Sequence, residues 1–432
     1  MKVIYSDKDN KWITNNALVK KTTGNDFDIA INSSVTYQSM LGFGGAFTDA
    51  TVENYLLLDE EEKERFVKAY FSKSGLGYKL GRYPIHSTDF SSYSYDYLDG
   101  TKDLTSINIE KDRNKINLVN KCDKTAHGLD IMMSVWSPFS WMKSNQSLYQ
   151  GGQLLYDFYK PWATYLSNVA VLLINEDINI TMITSQNEPE AKQTWESCIY
   201  TAKEEGRFVN ELYAALKKNE IDDIGIYLVD HNRDLLPHRV IETMKYVNVP
   251  IAGVAYHWYD HKCFNNLTKM HDFSPEFHLL MSECCIEIMA IKEPFGLLSH
   301  AERYAYEMIS DFNNYSEGWI DWNLMLNEIG GPNHVGNYCE SPIMMNRETK
   351  KMTLLPSYYY IGHFSKYVDV GSYRIETINT TKLDVVSFLT SNNKIVVIVL
   401  NKNDDDIETS FLLDDEIYKI KAKAHSIMTI TK

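Results

Sequence analysis

Two glutamates each close a short apolar run. Glu188 lies in Ile183-Thr-Ser-Gln-Asn-Glu-Pro189 and Glu283 in Leu279-Leu-Met-Ser-Glu283. A β-favouring run that finishes in an ionisable residue is the sequence form of a catalytic group at a barrel mouth. Two carboxyl groups facing one pocket are the minimal equipment for cleaving a glycosidic bond. Asn187, beside the first, can hold a sugar 2-hydroxyl, a contact that strengthens as the ring gains positive charge. The plainer readings are an ordinary strand-end turn for Asn187-Glu188-Pro189 and a solvated carboxylate for Glu283. Position decides between them.

Other strand ends carry residues suited to the same pocket. In Tyr256-His-Trp-Tyr259, Tyr259 can hydrogen-bond a carboxylate and hold it ionised, and His257 can bind substrate. The alternative is a packed aromatic cluster. In the run from Gly81 to Phe90, Arg82 can pin a catalytic carboxylate bidentately and Asp89 can take sugar hydroxyls, or both can serve a structural ion pair. Trp136, Trp319 and Trp322 can each stack on a sugar ring or fill core. No GxxxxGK[ST], GxGxxG, HExxH or GxSxG pattern occurs, so the expectation is no cofactor and no metal. Gly42-Phe-Gly-Gly-Ala-Phe-Thr-Asp49 reads as a close-packed first strand and loop.

The positioning elements follow from periodicity. Eight short apolar runs start at Met40, Tyr78, Leu129, Ile180, Ile224, Ile251, Phe277 and Gly318, and amphipathic stretches separate them. Strand and helix alternating over some 330 residues predict an α/β fold, a (β/α)8 TIM barrel, over residues 35–367. In that count Glu188 follows strand four and Glu283 strand seven, on opposite sides of the mouth. After Tyr367 the runs become short and alternating, as in Lys394-Ile-Val-Val-Ile-Val-Leu400. The segment Val3 to Ile31 is β-like too. A side β-sandwich built from residues 1–34 and 368–432 is the expectation.

Composition narrows the partners. The 432 residues carry 43 basic and 58 acidic side chains, a net charge of −15, which disfavours nucleic acid and anionic membranes. No run of about 18 apolar residues predicts a membrane span. The first residues lack a secretory pattern, so a cytoplasmic location is expected, or secretion if the N-terminus is processed. Six cysteines without CxxC spacing read as free thiols.

Together these motifs resemble glycoside hydrolase family 30, in its glucosylceramidase branch. The resemblance rests on Gly42–Asp49, Arg82 with Asp89-Phe90, Trp136-Ser-Pro, Asn187-Glu188-Pro189, His257-Trp-Tyr259, Ser282-Glu283, Gly318–Asn323, Gly330–Asn337, Ser341-Pro-Ile and Gly362–Lys366. It implies retaining chemistry, with Glu188 as acid/base and Glu283 as nucleophile. It further implies substrate contacts from Asp89, Trp136, Asn187, Trp322 and Asn337, with Arg82 and Tyr259 supporting the nucleophile. Lys192, Thr194 and Glu196 after Glu188 make the aglycone entrance polar, which favours a polar aglycone over ceramide.

The reading is an exo-acting retaining hydrolase of β-glucosides or glucosylceramide-like substrates, with Glu188 kept protonated by a raised pKa. Alternatives are the same chemistry on β-xylosides, β-fucosides or β-1,6-glucan, a non-catalytic carbohydrate-binding barrel, and a metal-dependent barrel using Asp230 and Asp321.

Overall fold

The computed structural model describes residues 1–24, 26–260 and 263–432. Eight parallel strands close a barrel: Gly42–Ala46, Leu80–Ile85, Asp130–Val135, Ile180–Thr184, Gly225–Asn232, Gly253–His257, His278–Glu283 and Gly318–Asp321. All eight match the apolar runs of the sequence and are numbered here as barrel strands one to eight. Strand eight returns to pair with strand one. The close approach of strands one and two requires glycine: a Cβ on Gly44 would lie 2.1 Å from the Leu80 carbonyl oxygen.

Crossover helices pack outside the strands. Helix Ala202–Lys218 starts with a capping box, in which Thr201 and Glu204 each satisfy the other's backbone N–H. It buries Phe208, Val209, Leu212 and Leu216, one helical stripe turned to the barrel. Helix Glu60–Phe71 is capped by Asp59 and opens on three glutamates, which suit its positive N-terminal end. No helix among the described residues is long and apolar enough to cross a membrane.

Inside the barrel, Leu80, Met132, Met182, Tyr227, Ala255, Leu280 and Ile320 form one buried apolar layer. Strand alternation brings the next inward residues up two positions later. Strand five breaks that rule. Val229 and Asp230 adopt left-handed backbone, φ 74° and 45°. Pairing with strand six steps from Val229–Ala255 to His231–Tyr256. The extra residue is a β-bulge. It leaves Val229 in the outer core and brings Asp230 into the polar network of the barrel mouth. A second shift, between strands six and seven, sets His257 opposite Glu283.

The second unit is one ten-stranded sheet folded on itself. Strand Lys2–Ser6 pairs with Ser426–Thr431, and Ile29–Ser39 pairs with Tyr373–Asn379. Strand Ile29–Ser39 runs past residue 34, so the sheet takes more of the N-terminal segment than the sequence pattern suggests. Strand Ile395–Asn401 is buried on both faces. Val396, Ile398 and Leu400 join the barrel's outer core, while Ile395, Val397 and Val399 face Phe411 and Met428 within the sandwich. A three-stranded sheet, Met325–Asn327, Ile343–Asn346 and Lys351–Leu354, anchors both ends of the segment 328–342, which carries Asn337.

Candidate active site

Arg82 is the centre of the mouth and is fully buried. Its guanidinium donates to Glu283 Oε2 at 2.6 Å, Asp230 Oδ2 at 2.7 Å, Asn187 Oδ1 at 2.9 Å and Ser134 Oγ at 3.0 Å. The bidentate grip on one carboxylate suggested by sequence is therefore replaced by a fork shared between two. A buried cation of this kind is tolerated because every N–H it turns inward has a partner. Tyr259 Oη donates to the other oxygen of Glu283 at 3.0 Å.

Glu188 stands across the cavity on a left-handed residue, φ 46°. Its N–H donates to the Asp230 carbonyl at 2.9 Å, which ties the strained turn to the bulge of strand five. Between the carboxylates sits His257, fully buried. Its Nε2 lies 3.0 Å from Asp230 Oδ1 and its Nδ1 3.4 Å from Glu188 Oε1. Asp230 is already encircled by donors, Ser282 Oγ at 2.6 Å and Arg82, so Nε2 carries a hydrogen toward it. A bare Nδ1 facing a bare carboxylate oxygen would set two lone pairs against each other. One proton therefore belongs between His257 and Glu188.

The electrostatics place that proton on the imidazole. Burial pushes His257 down, but the charges of Glu283, Asp230 and Glu188 prevail and raise it to about 9. Burial likewise pushes Glu188 up, yet its bond to His257 and the nearby His231 bring it to about 2. This corrects the expected raised value for Glu188. The raised carboxyl is Glu283: burial and the negative charges of Glu188 and Asp230 outweigh His257 and Arg82.

The cavity between the glutamates has a volume of about 200 Å³ and is bordered by Asp89, Trp136, Asn187, Trp195, Trp322 and Asn337, among others. Asn337 Nδ2 donates to Asp89 Oδ2 at 3.1 Å. Burial, with the charge of Glu283, lifts the Asp89 carboxyl well above the usual range. Trp136 and Trp322 stack on each other at 4.9 Å, with the Arg82 guanidinium over both rings. One carboxylate oxygen of each glutamate and one nitrogen of His257 lie within 4.8 Å of one another. That spacing would admit a cation, but Arg82, 2.6 Å from Glu283, already supplies the positive charge there.

A family model for the glycosyl hydrolase family 30 TIM-barrel domain matches residues 40–368, and one for the family's beta sandwich domain matches residues 371–430. The chain belongs to glycosyl hydrolase family 30. Among its relatives, "Putative glucosylceramidase 4" of Caenorhabditis elegans is 31% identical, over 99% of this chain and 88% of that protein. An endo-1,6-beta-D-glucanase of Neurospora crassa is 25% identical, over 78% and 71%. The crystal structure of SrfJ from Salmonella typhimurium superposes with a TM-score of 0.94 at 29% identity, covering 100% of this chain and 99% of that one.

Within this family 30 frame, the structure brings Glu188, Glu283, Asp89, Trp136, Asn187, Trp322, Asn337 and Tyr259 to one cavity. His257 is not on its wall: it joins the two carboxylates from a buried position, so the expected substrate contact is replaced by a positioning role. Trp319 packs against Trp258 and Tyr304 outside the barrel strands. Asp230 and Asp321 do not border the cavity either. Asp321 accepts from Tyr304, and burial lifts it to about 7. Glu196, expected at the entrance, is buried and accepts from Ser87 and Ser94 at 2.7 and 2.6 Å. Its neighbours Gln193 and Trp195 border the cavity instead, as do His231, Asn232, Cys285, Glu287 and Cys339. Of these His231 had a signal in the sequence, because strand five ends in Asp230-His231-Asn232, three polar residues at a strand's C-terminal end.

Proposed function

We propose that this family 30 glycoside hydrolase is a retaining enzyme that removes single β-linked glucosyl residues from the end of a substrate. The observation that carries the reading is the separation of the two carboxylates, at most 4.8 Å between facing oxygens. Retaining hydrolases hold their carboxyl groups roughly 5 to 5.5 Å apart, inverting ones about 6.5 to 9.5 Å, where a water must fit between. Glu283 attacks the anomeric carbon, with Arg82 and Tyr259 stabilising its ionised form. The proton resting on His257 crosses to Glu188 as the sugar displaces water, and Glu188 passes it to the leaving oxygen. Glu188 then takes a proton from the water that frees the glycosyl-enzyme.

The cavity supports exo action. At about 200 Å³ it is smaller than the roughly 300–1,000 Å³ typical of ligand clefts, which suits one sugar ring. Exposed Lys192 and Thr194 flank Gln193, which borders the cavity, and exposed Met289 and Ile291 lie on the short helix that follows Glu287, which borders it too. A second reading, cleavage of internal β-1,6-glucosidic bonds, draws on the relative from Neurospora crassa. It shares the chemistry and differs in the length of chain bound.

A panel of aryl and alkyl β-glycosides, β-1,6-glucan and glucosylceramide tests this. The expected outcome is turnover of β-glucosides, with Glu283→Gly rescued by azide to give the α-glycosyl azide. Absence of turnover on every β-glycoside would overturn the enzyme reading. Release of oligosaccharides from β-1,6-glucan, without action on monoglucosides, would favour the second reading.

A further inference from the structure

Two thiols meet on the wall of this cavity. Cys285, two residues after Glu283, has its Sγ 3.1 Å from that of Cys339, two residues after Asn337. Both are free, and both border the cavity. Cys285 Sγ also lies 3.5 Å from Tyr259 Oη, the hydroxyl that donates to Glu283. Cys339 Sγ reaches the Asn337 carbonyl at 3.9 Å. The other four cysteines are placed differently. Cys284 turns to Asp321, Cys122 and Cys198 are buried in the outer core, and Cys263 is half-exposed.

We propose that Cys285 and Cys339 are an oxidation site, a thiol pair that a hydroperoxide entering through the sugar cavity converts to an intramolecular disulfide. One thiol takes an oxygen from the peroxide, becomes a sulfenic acid and releases water or alcohol. The second thiol attacks that sulfur and expels water. Two thiols lose two hydrogens and two electrons, and the peroxide is reduced by the same two electrons. Juxtaposition makes the second step fast, because the partner is already in contact. The first step is slow at neutral pH: burial holds Cys285 above the usual range, and for Cys339 the lowering hydrogen bond from Cys285 is outweighed by burial and nearby carboxylates, while the thiolate is the reactive form.

Bond formation draws the sulfurs from 3.1 Å to about 2.05 Å. It pulls the segment carrying Asn337 toward the end of strand seven and removes the thiol beside Tyr259. The effect on catalysis rests on the glycosidase reading; the chemistry of the pair does not.

The test treats the full chain with hydrogen peroxide, alkylates the remaining thiols in denaturant and maps them by mass spectrometry. The expected result is a cross-linked Cys285–Cys339 peptide lighter by two hydrogens. With it, kcat/KM falls about tenfold, roughly the loss of one well-placed hydrogen bond, and dithiothreitol restores it. In Cys339→Ala the cross-link and the dithiothreitol-reversible part of the loss both vanish. Cys285 and Cys339 still alkylatable after Cys263 has fully reacted would overturn the proposal, and this readout needs neither a variant nor an active enzyme. A cross-link formed without any change in kcat/KM would overturn its catalytic consequence.

Discussion

The lower and upper levels of the barrel interior use the same strands and opposite chemistry. Leu80, Met132, Ala255, Leu280 and Ile320 lie in the apolar layer. Two residues on, the same strands present Arg82, Ser134, His257, Ser282 and Trp322. The lower level is held by contact and tolerates any apolar shape that fits. The upper level is held by pairing: Arg82, Asp230, His257 and Glu283 are each tolerable only because the others are there. Stability and chemistry are thus stacked within one β-repeat, and a substitution should report which level it touches.

Glu283→Gln offers the sharpest break. It should cost about 10⁴-fold or more in kcat, since it removes the proposed nucleophile, while leaving the melting temperature within a few degrees. A variant that kept kcat would end the assignment. Arg82→Ala should fail on both counts, because it strands two carboxylates in a buried site. A loss of about 3–5 kcal/mol in unfolding free energy is expected, with activity lost as well. Leu280→Ala in the lower layer should cost roughly 2–5 kcal/mol by denaturant unfolding, with kcat per folded molecule nearly intact. Equal damage to kcat would dissolve the distinction between the levels.

His257→Asn separates proton holding from folding. In the parent protein the basic limb of kcat/KM is expected where the proton shared with Glu188 is lost, near the value of about 9 for His257. Without the imidazole that proton belongs to Glu188 alone, so the limb should move to lower pH by at least about one unit. The acidic limb, set by Glu283, should stay above an ordinary carboxylate's value, because burial raises that group. An unmoved basic limb would reject the proton store. The smallest effect is expected for Tyr259→Phe, which removes one donor from Glu283 and should lower kcat/KM about tenfold.

The sequence made the barrel legible because each strand is an apolar run and each functional residue follows one. Both glutamates could be read that way, as could Arg82 and Tyr259. What escaped was whatever depends on a break in alternation. Strict period two would turn Val229 inward; the bulge presents Asp230 instead, and the buried His257 pairs with it through Nε2. Glu196, expected at the entrance, is buried for the same kind of reason. In an irregular loop no period says which of two neighbours faces the cavity. Cys285 and Cys339 are 54 positions apart, and nothing local to either points to the other.

The pairing of Lys2–Ser6 with Ser426–Thr431 governs the order in which the molecule can be completed. A chain made from its N-terminus exposes this strand long before its neighbour Ser426–Thr431 has been made. Ser426–Thr431 also joins that strand to Ile395–Asn401, so one late segment closes the sheet from both sides. Such long-range closure is slow and comes late. Until it happens, Val3 and Tyr5, buried in the finished sandwich, lack their covering neighbours and offer an extended apolar segment of the kind chaperones bind.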